Sequence, residues 1–453
     1  MSAATAFLVI GGGPAGGAAA AAAAAGGVGV TLVEAEVVGG ASQLRDCIPS
    51  KALVASANGL AGIRASGHLG STEPGPLRPD PARLAERRHS IASLLSESLR
   101  GRLESLGVIL LAGRARFLGP HTAVVAGADG AEQEVEFAHA LIAAGSVPRV
   151  PAWAEPDGER VLTSRQAYRL GEAPEHAVIV GAGATGVEFA HILSSLGSRV
   201  TVLASRGRVL PQADPEASAV LEEEFSERGV VVMRGARARG LRKSEGVIEV
   251  AAEDGRTAAG SHVLLAVGLQ PAIAGLGLEA AGVEVCDGAV VVDARQQTSV
   301  PHISAAGDVT GGLMLSSVGA AAGTVVGRRV AGLPVEPVDS SRAAQAVYTE
   351  PEIAWVGLQE AEAAAIGRRV KVTRAPFAAN PRALMAARPR GFVKLISDPT
   401  SGVLLGGLVV GRQATELVGI VALAVQAGLR RGILADTLLA YPSLAETLAA
   451  AAR

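Results

Sequence analysis

Gly11, Gly13 and Gly16 stand in the spacing G-x-G-x-x-G, with Pro14 and Ala15 inside the loop and Glu34 downstream. The spacing returns at Gly181, Gly183 and Gly186, with Thr185 inside it. The first glycine permits a tight turn, the second lets the backbone approach a pyrophosphate, and the third lets helix and strand pack closely. The pyrophosphate then sits at a helix N-terminus, where free N–H groups and the dipole favour an anion. Glu34 is placed to accept hydrogen bonds from ribose hydroxyls. The two copies begin 170 residues apart. They point to two dinucleotide sites in one chain, the arrangement in which a nicotinamide passes electrons to a flavin.

The copies differ where specificity would be set. The residue 23 positions after the first glycine is Glu34 in one copy and Ala204 in the other. A carboxylate there favours a free 2′-hydroxyl and repels a 2′-phosphate. Ala204 removes the repulsion, and Ser205, Arg206 and Arg208 follow it. The arginines could pair with a phosphate or be solvated surface charges. NADPH or NADH is therefore the expected nucleotide at the second site, and FAD at the first.

Sulfur chemistry is suggested at one place. GGASQLRDCIPSKAL, residues 39–53, holds Cys47 and ends in what looks like half of a redox-disulfide motif. The only other cysteine, Cys286, lies outside any motif and reads as buried or incidental. Lys51 belongs to the same stretch and is one of only four lysines, with Lys243, Lys371 and Lys394. No metal ligands are assigned.

These residues need strands and turns to hold them. Phe7–Ile10 and Val28–Val33 read as strands around a helix made by the alanine run Ala18–Ala25. Arg199–Leu203 is the matching strand of the second copy. LIAAGSVPR (141–149, with Ala144 and Gly145) and VLLAVGLQP (263–271, with Gly268) read as strands entering glycine turns. ISAAGDVTGG (303–312) ends a strand at Gly307 and Asp308, where a carboxylate can bind a polyol hydroxyl.

Composition excludes other classes. The chain has 453 residues, 49% apolar and 19% charged, with net charge −2 and 3% aromatics. That balance gives no electrostatic or stacking case for nucleic acid. Two cysteines do not make a secreted disulfide framework. The N-terminus shows no signal-peptide pattern, and the alanine run is too weakly apolar for a membrane span. A cytoplasmic protein without an integral membrane segment is expected.

The order of these motifs resembles the pyridine nucleotide–disulfide oxidoreductases, the family of dihydrolipoamide dehydrogenase and glutathione reductase. The resemblance covers nearly the whole chain, including VYTEPEIAWVGL (347–358) and YPSLAETL (441–448). It implies an α/β fold with two doubly wound, Rossmann-like dinucleotide-binding domains and a C-terminal α+β dimerisation domain. The implied segments are 1–149 and 273–337 for FAD, 150–272 for NAD(P)H, and 338–453 for the interface of a homodimer.

The family motif GGxCxxxxCxPSK is matched at Gly39, Gly40, Cys47, Pro49, Ser50 and Lys51. Its first cysteine, which attacks a disulfide substrate, is here Ser42, and Gly40, Ala41 and Ser42 would lie against the flavin cofactor. The family's C-terminal His-Pro-Thr/Ser-x-x-Glu is here Tyr441-Pro442-Ser443-Leu444-Ala445-Glu446. The histidine that serves the exposed thiol is thus Tyr441, and a phenol with an ordinary pKa of about 10 is no base at neutral pH. Glu446 is the position that would orient the histidine. In the family the lysine at Lys51 lies beside the flavin's reactive nitrogen and pairs with a glutamate, here Glu188.

Both departures remove the step to a disulfide and leave the flavin half whole. The expectation is an FAD-dependent NAD(P)H:quinone oxidoreductase without a redox-active disulfide, resembling the actinobacterial quinone reductases that lack the same two groups. A thiol-independent pyridine nucleotide transhydrogenase and a non-enzymatic flavoprotein redox sensor are the alternatives. Cys47 is either inert packing or a thiolate that tunes the flavin. Tyr441 either fills space or donates to a quinone oxygen.

Overall fold

The protein, as a computed structural model, is described over residues 3–64 and 79–453. The chain divides into two compact units. One comprises Met1–Ser50, Glu86–Arg149 and Leu269–Ser340; the other comprises Lys51–Ala85, Val150–Gly268 and Ser341–Arg453.

In the first unit, strand Ala3–Ile10 pairs in parallel with Val30–Glu34 on one side and Glu132–Ile142 on the other. Ile109–Ala112 extends the sheet beyond Val30–Glu34, and Ile303–Ala305 runs parallel to the end of Glu132–Ile142. The run Phe7-Leu8-Val9-Ile10 is apolar at every position because both sheet faces are covered. Phe7 and Val9 pack with Ala15, Ala19 and Ala23 of helix Pro14–Ala25, while Leu8 and Ile10 pack with Phe117 and Phe137 on the other face.

Helix Pro14–Ala25 is alanine-rich for a packing reason. Helix Ser316–Val330 approaches it through Gly319, Gly323 and Gly327. A Cβ on Gly323 would overlap the carbonyl oxygen of Ala15, and one on Gly327 that of Ala19. Only glycine against alanine lets the two backbones come so close. At 12 residues the alanine helix is far shorter than the ~20 a membrane span requires. Among the described residues no helix is long and apolar enough to cross a membrane.

The second unit contains a parallel sheet in the order Val231–Arg234, Arg199–Ala204, His176–Val180, His262–Leu265, Val161–Thr163. It is the same doubly wound plan as the first. The unit also holds a five-stranded antiparallel sheet ordered Gln345–Val347, Glu352–Gly357, Leu404–Gly411, Phe392–Ser397, Lys371–Pro376. Helices Ala414–Gln426 and Glu446–Ala452 pack on it. The expected fold class, two Rossmann-like sheets and a C-terminal α+β domain, is the observed one.

Inside the second unit, Lys394 is buried at 3% exposure. It meets Asp214 at 2.8 Å, Glu216 at 2.5 Å and Glu360 at 3.0 Å. Burial opposes its charge, but hydrogen bonds to these three carboxylates outweigh burial and push its pKa up.

Two local expectations are corrected. The second strand starts at Val30, not Val28, because Gly26 and Gly27 first turn the chain and Val28 N closes the turn on Ala23 O. Cys286 is not buried: it is exposed on the two-residue strand Val285–Cys286, whose side chains both face solvent.

Candidate active site

The two fingerprint loops have the same construction. Gly11 has φ +104° and Gly181 has φ +112°. A Cβ on Gly11 would overlap the Ala143 carbonyl oxygen, and one on Gly181 that of Ala266. A Cβ on Gly16 or Gly186 would overlap the carbonyl oxygen of Gly11 or Gly181. By contrast, nothing lies within 4 Å of where a Cβ would stand on Gly13 or Gly183. Each middle glycine caps its helix and faces open space, with Pro14 and Ala15, or Ala184 and Thr185, in the first turn. This bare approach to a helix N-terminus has the room and donors that a pyrophosphate needs. The residues of each loop therefore fit a dinucleotide pyrophosphate, as FAD and NAD(P)H both carry.

Other predicted residues gather at the first loop, within the first unit. Glu34 Oε2 accepts from Gly12 N at 2.7 Å and Oε1 from Glu36 N at 2.9 Å, which fixes the carboxylate at the strand end. Gly40, at φ +61°, comes so close that a Cβ there would lie 2.8 Å from Gly13 Cα, and Gly39 N donates to Gly12 O at 2.8 Å. This contact carries Ala41 and Ser42 to the loop. The Ser42 hydroxyl donates back to Gly39 O at 3.0 Å. Asp308 Oδ2 accepts from the buried Ser146 hydroxyl at 2.7 Å, tying the end of Ile303–Ala305 to the Ala144–Gly145 turn. Cys47 is a free thiol whose Sγ lies 3.5 Å from Ser316 Oγ.

In the second unit, Lys51 Nζ lies 3.0 and 3.1 Å from the two carboxylate oxygens of Glu188. Glu188 is buried on helix Ala184–Leu196 and also accepts from Tyr348 N at 3.0 Å. The Lys51 ammonium lies 4.5 Å from the centre of the Tyr348 ring, a cation–π distance. Lys51 is thus held by charge, hydrogen bond and ring.

Ala204 is buried, whereas Ser205 and Arg206 are exposed beside it. Gly268 has φ +101° just past strand His262–Leu265. Arg208 turns away from solvent and donates from Nη2 to the carbonyls of Pro211 at 3.0 Å and Ala213 at 3.3 Å. Of the two arginines, Arg206 is the one presented outward. Tyr441 is 75% exposed. Glu446 Oε2 accepts from Ser443 N at 2.9 Å. Among the described residues, neither side chain bonds to Lys51 or Glu188.

Sequence reasoning missed Ser146, Ser316 and Tyr348, whose partners lie 162, 269 and 160 residues away. It also missed the Gly319, Gly323 and Gly327 stripe, although that four-residue spacing stands in the sequence.

Known proteins share this fold. Residues 5–323 match the pyridine nucleotide-disulphide oxidoreductase family, and residues 343–452 match its dimerisation domain. A Mycobacterium tuberculosis protein named NAD(P)H dehydrogenase (quinone) is 38% identical over 436 residues, covering 94% of this chain and 88% of the relative. A dihydrolipoyl dehydrogenase of Chlorobaculum tepidum is 36% identical over 432 residues, covering 94% and 92%. The crystal structure of LpdA from Mycobacterium tuberculosis superposes with a TM-score of 0.93 at 38% identity, covering 99% of both chains. The chain belongs to the pyridine nucleotide-disulphide oxidoreductases, a family of flavoprotein enzymes that use FAD and NAD(P)H.

Proposed function

We propose that this chain is an FAD-dependent NAD(P)H:quinone oxidoreductase that works without a redox-active disulfide. One observation carries the reading: Ser42 stands at the position of the attacking cysteine and spends its hydroxyl on Gly39 O. No second sulfur stands in the motif to share electrons with Cys47, so a disulfide substrate has no dithiol to receive them from. When bound, FAD supplies the hydride acceptor and the return of electrons to a quinone.

The chain's own groups hold, orient and charge the site. Gly13 and Gly183 open the two helix N-termini to the dinucleotide pyrophosphates, and Glu34 and Asp308 take sugar and polyol hydroxyls. Lys51 supplies a fixed cation for the negative charge that reduction brings, and Glu188 and Tyr348 keep its ammonium in place. Tyr441 and Glu446 line the quinone approach across the interface of a homodimer built on the C-terminal domain. The site needs no membrane segment, and a cytoplasmic enzyme acting on diffusible quinone fits it.

Steady-state turnover with NADPH tests the reading. Menadione should be reduced rapidly, while dihydrolipoamide:NAD⁺ and thio-NAD⁺ activities should be at background. Dihydrolipoamide turnover that exceeds menadione turnover would overturn it.

A further inference from the structure

The helix that presents Glu188 carries a second buried polar group that the proposed chemistry does not use. His191, one turn beyond Glu188, is 0% exposed. Its Nε2 lies 2.7 Å from Asn58 Oδ1, and its Nδ1 lies 2.9 Å from Arg228 Nη1. Arg228 Nη2 also reaches His191 O at 3.1 Å, Ser194 Oγ at 2.7 Å and Ser195 Oγ at 2.6 Å.

The tautomer follows from the partners. A guanidinium only donates, so Nδ1 must accept, and the ring proton sits on Nε2 and donates to Asn58. Burial, and then the charge of Arg228, hold the His191 pKa down at about 3. The ring is neutral at every pH near neutrality, so this contact does not titrate there.

Asn58 and Lys51 lie on one helix, Cys47–Arg64, seven residues apart. Glu188 and His191 lie on another, Ala184–Leu196, three residues apart. The Lys51–Glu188 contact therefore has a companion two turns along the first helix. One contact lets two helices pivot; two contacts fix their crossing. Apolar packing of Leu53 and Val54 with Phe189 lies in the same buried cluster, but such packing is non-directional and does not set where a long lysine side chain ends.

We infer that His191 is a positioning residue: by joining Asn58 to Arg228 it fixes helix Cys47–Arg64 against helix Ala184–Leu196 and so sets where the Lys51 ammonium meets Glu188. This inference rests on the proposed role of Lys51 as the cation of the redox site. Arg228 and Asn58 are its necessary partners.

The test uses the full-length, FAD-loaded protein and three readouts: the flavin midpoint potential, the rate of flavin reduction by NADPH, and Tm. His191→Gln keeps one acceptor and one donor. His191→Leu keeps apolar volume and loses both. Asn58→Leu cuts the same link from a half-buried position and serves if His191→Leu does not fold. The Gln variant should keep the wild-type potential. The Leu variants should lower the potential and slow reduction about tenfold, the effect of one hydrogen bond. Each effect should vanish when Lys51→Met is already present, because the brace then has no ammonium to place.

A fall in Tm with unchanged potential and rate would overturn the inference, since His191 would then be packing alone. So would an effect of equal size in the Lys51→Met background. If Lys51→Met alone leaves potential and rate at wild-type values, the role of Lys51 itself fails, and the inference falls with it by a distinct result.

Discussion

Cys47 and Ser316 meet across 269 residues of chain: the thiol Sγ lies 3.5 Å from Ser316 Oγ. The sulfur has a hydroxyl neighbour from the first turn of helix Ser316–Val330. The one other cysteine of the chain, Cys286, lies outside this motif.

Electron capacity follows from the single cysteine of that motif. An anaerobic titration should bleach the flavin fully with about one equivalent of NADPH per chain, because a two-electron centre has no dithiol beside it. The visible spectrum reports the endpoint. An endpoint near two equivalents would place a second acceptor in the chain.

Lys51 should matter more than either cysteine. Its ammonium has a bidentate contact with Glu188, and charge-assisted bonds are worth about 1.5–3 kcal/mol, or roughly ten- to a hundredfold in rate. Stopped-flow reduction of Lys51→Met by NADPH should show a loss in that range. Cys286→Ser, at an exposed position, should change nothing.

Nucleotide choice should divide the two arginines. Arg206→Ala should lower kcat/KM for NADPH by roughly ten- to a hundredfold and spare NADH. Arg208→Ala should leave that ratio near wild type, because its guanidinium caps Pro211 O and Ala213 O. Ala204→Glu should shift preference toward NADH. Initial rates with both nucleotides check all three; equal loss of NADPH and NADH in Arg206→Ala would make it a surface charge.

Acid should weaken the second unit through His191. Its folded pKa of about 3 lies below the usual histidine value. Below pH ~6.5 the unfolded chain therefore takes up a proton that the folded chain refuses. Stability rises with pH in the window from about 3 to 6.5, by up to roughly 1.4 kcal/mol per pH unit. Above that window the contribution is flat. Tm measured from pH 7.5 down to 5 should fall less in His191→Gln than in wild type. Parallel curves would mean that His191 takes up its proton at the same pH in the folded protein as in the unfolded chain.

The legible parts of the fold are those set by local chain requirements. Gly11 and Gly181 must take positive φ, and Gly16 and Gly186 must leave room for a carbonyl, so their spacing betrays loop, strand and helix together. Ser42 and Tyr441 were legible as departures from a resembled motif. Ser146, Ser316 and Tyr348 were not, because their roles arise only when segments remote in sequence close on one another. The His191–Asn58 link spans 133 residues and has no spacing signature. The exposure of Cys286 was missed because a two-residue edge strand gives no burial pattern to read.

Whether electrons bypass sulfur is tested most directly by reoxidation. The wild-type protein and Cys47→Ser should each be reduced anaerobically with one equivalent of NADPH and mixed rapidly with excess menadione, with flavin absorbance followed. The expected result is complete reoxidation in both, with rates within a few-fold. Loss of reoxidation in Cys47→Ser, with reduction by NADPH intact, would show that electrons pass through the thiol and would contradict direct transfer to quinone.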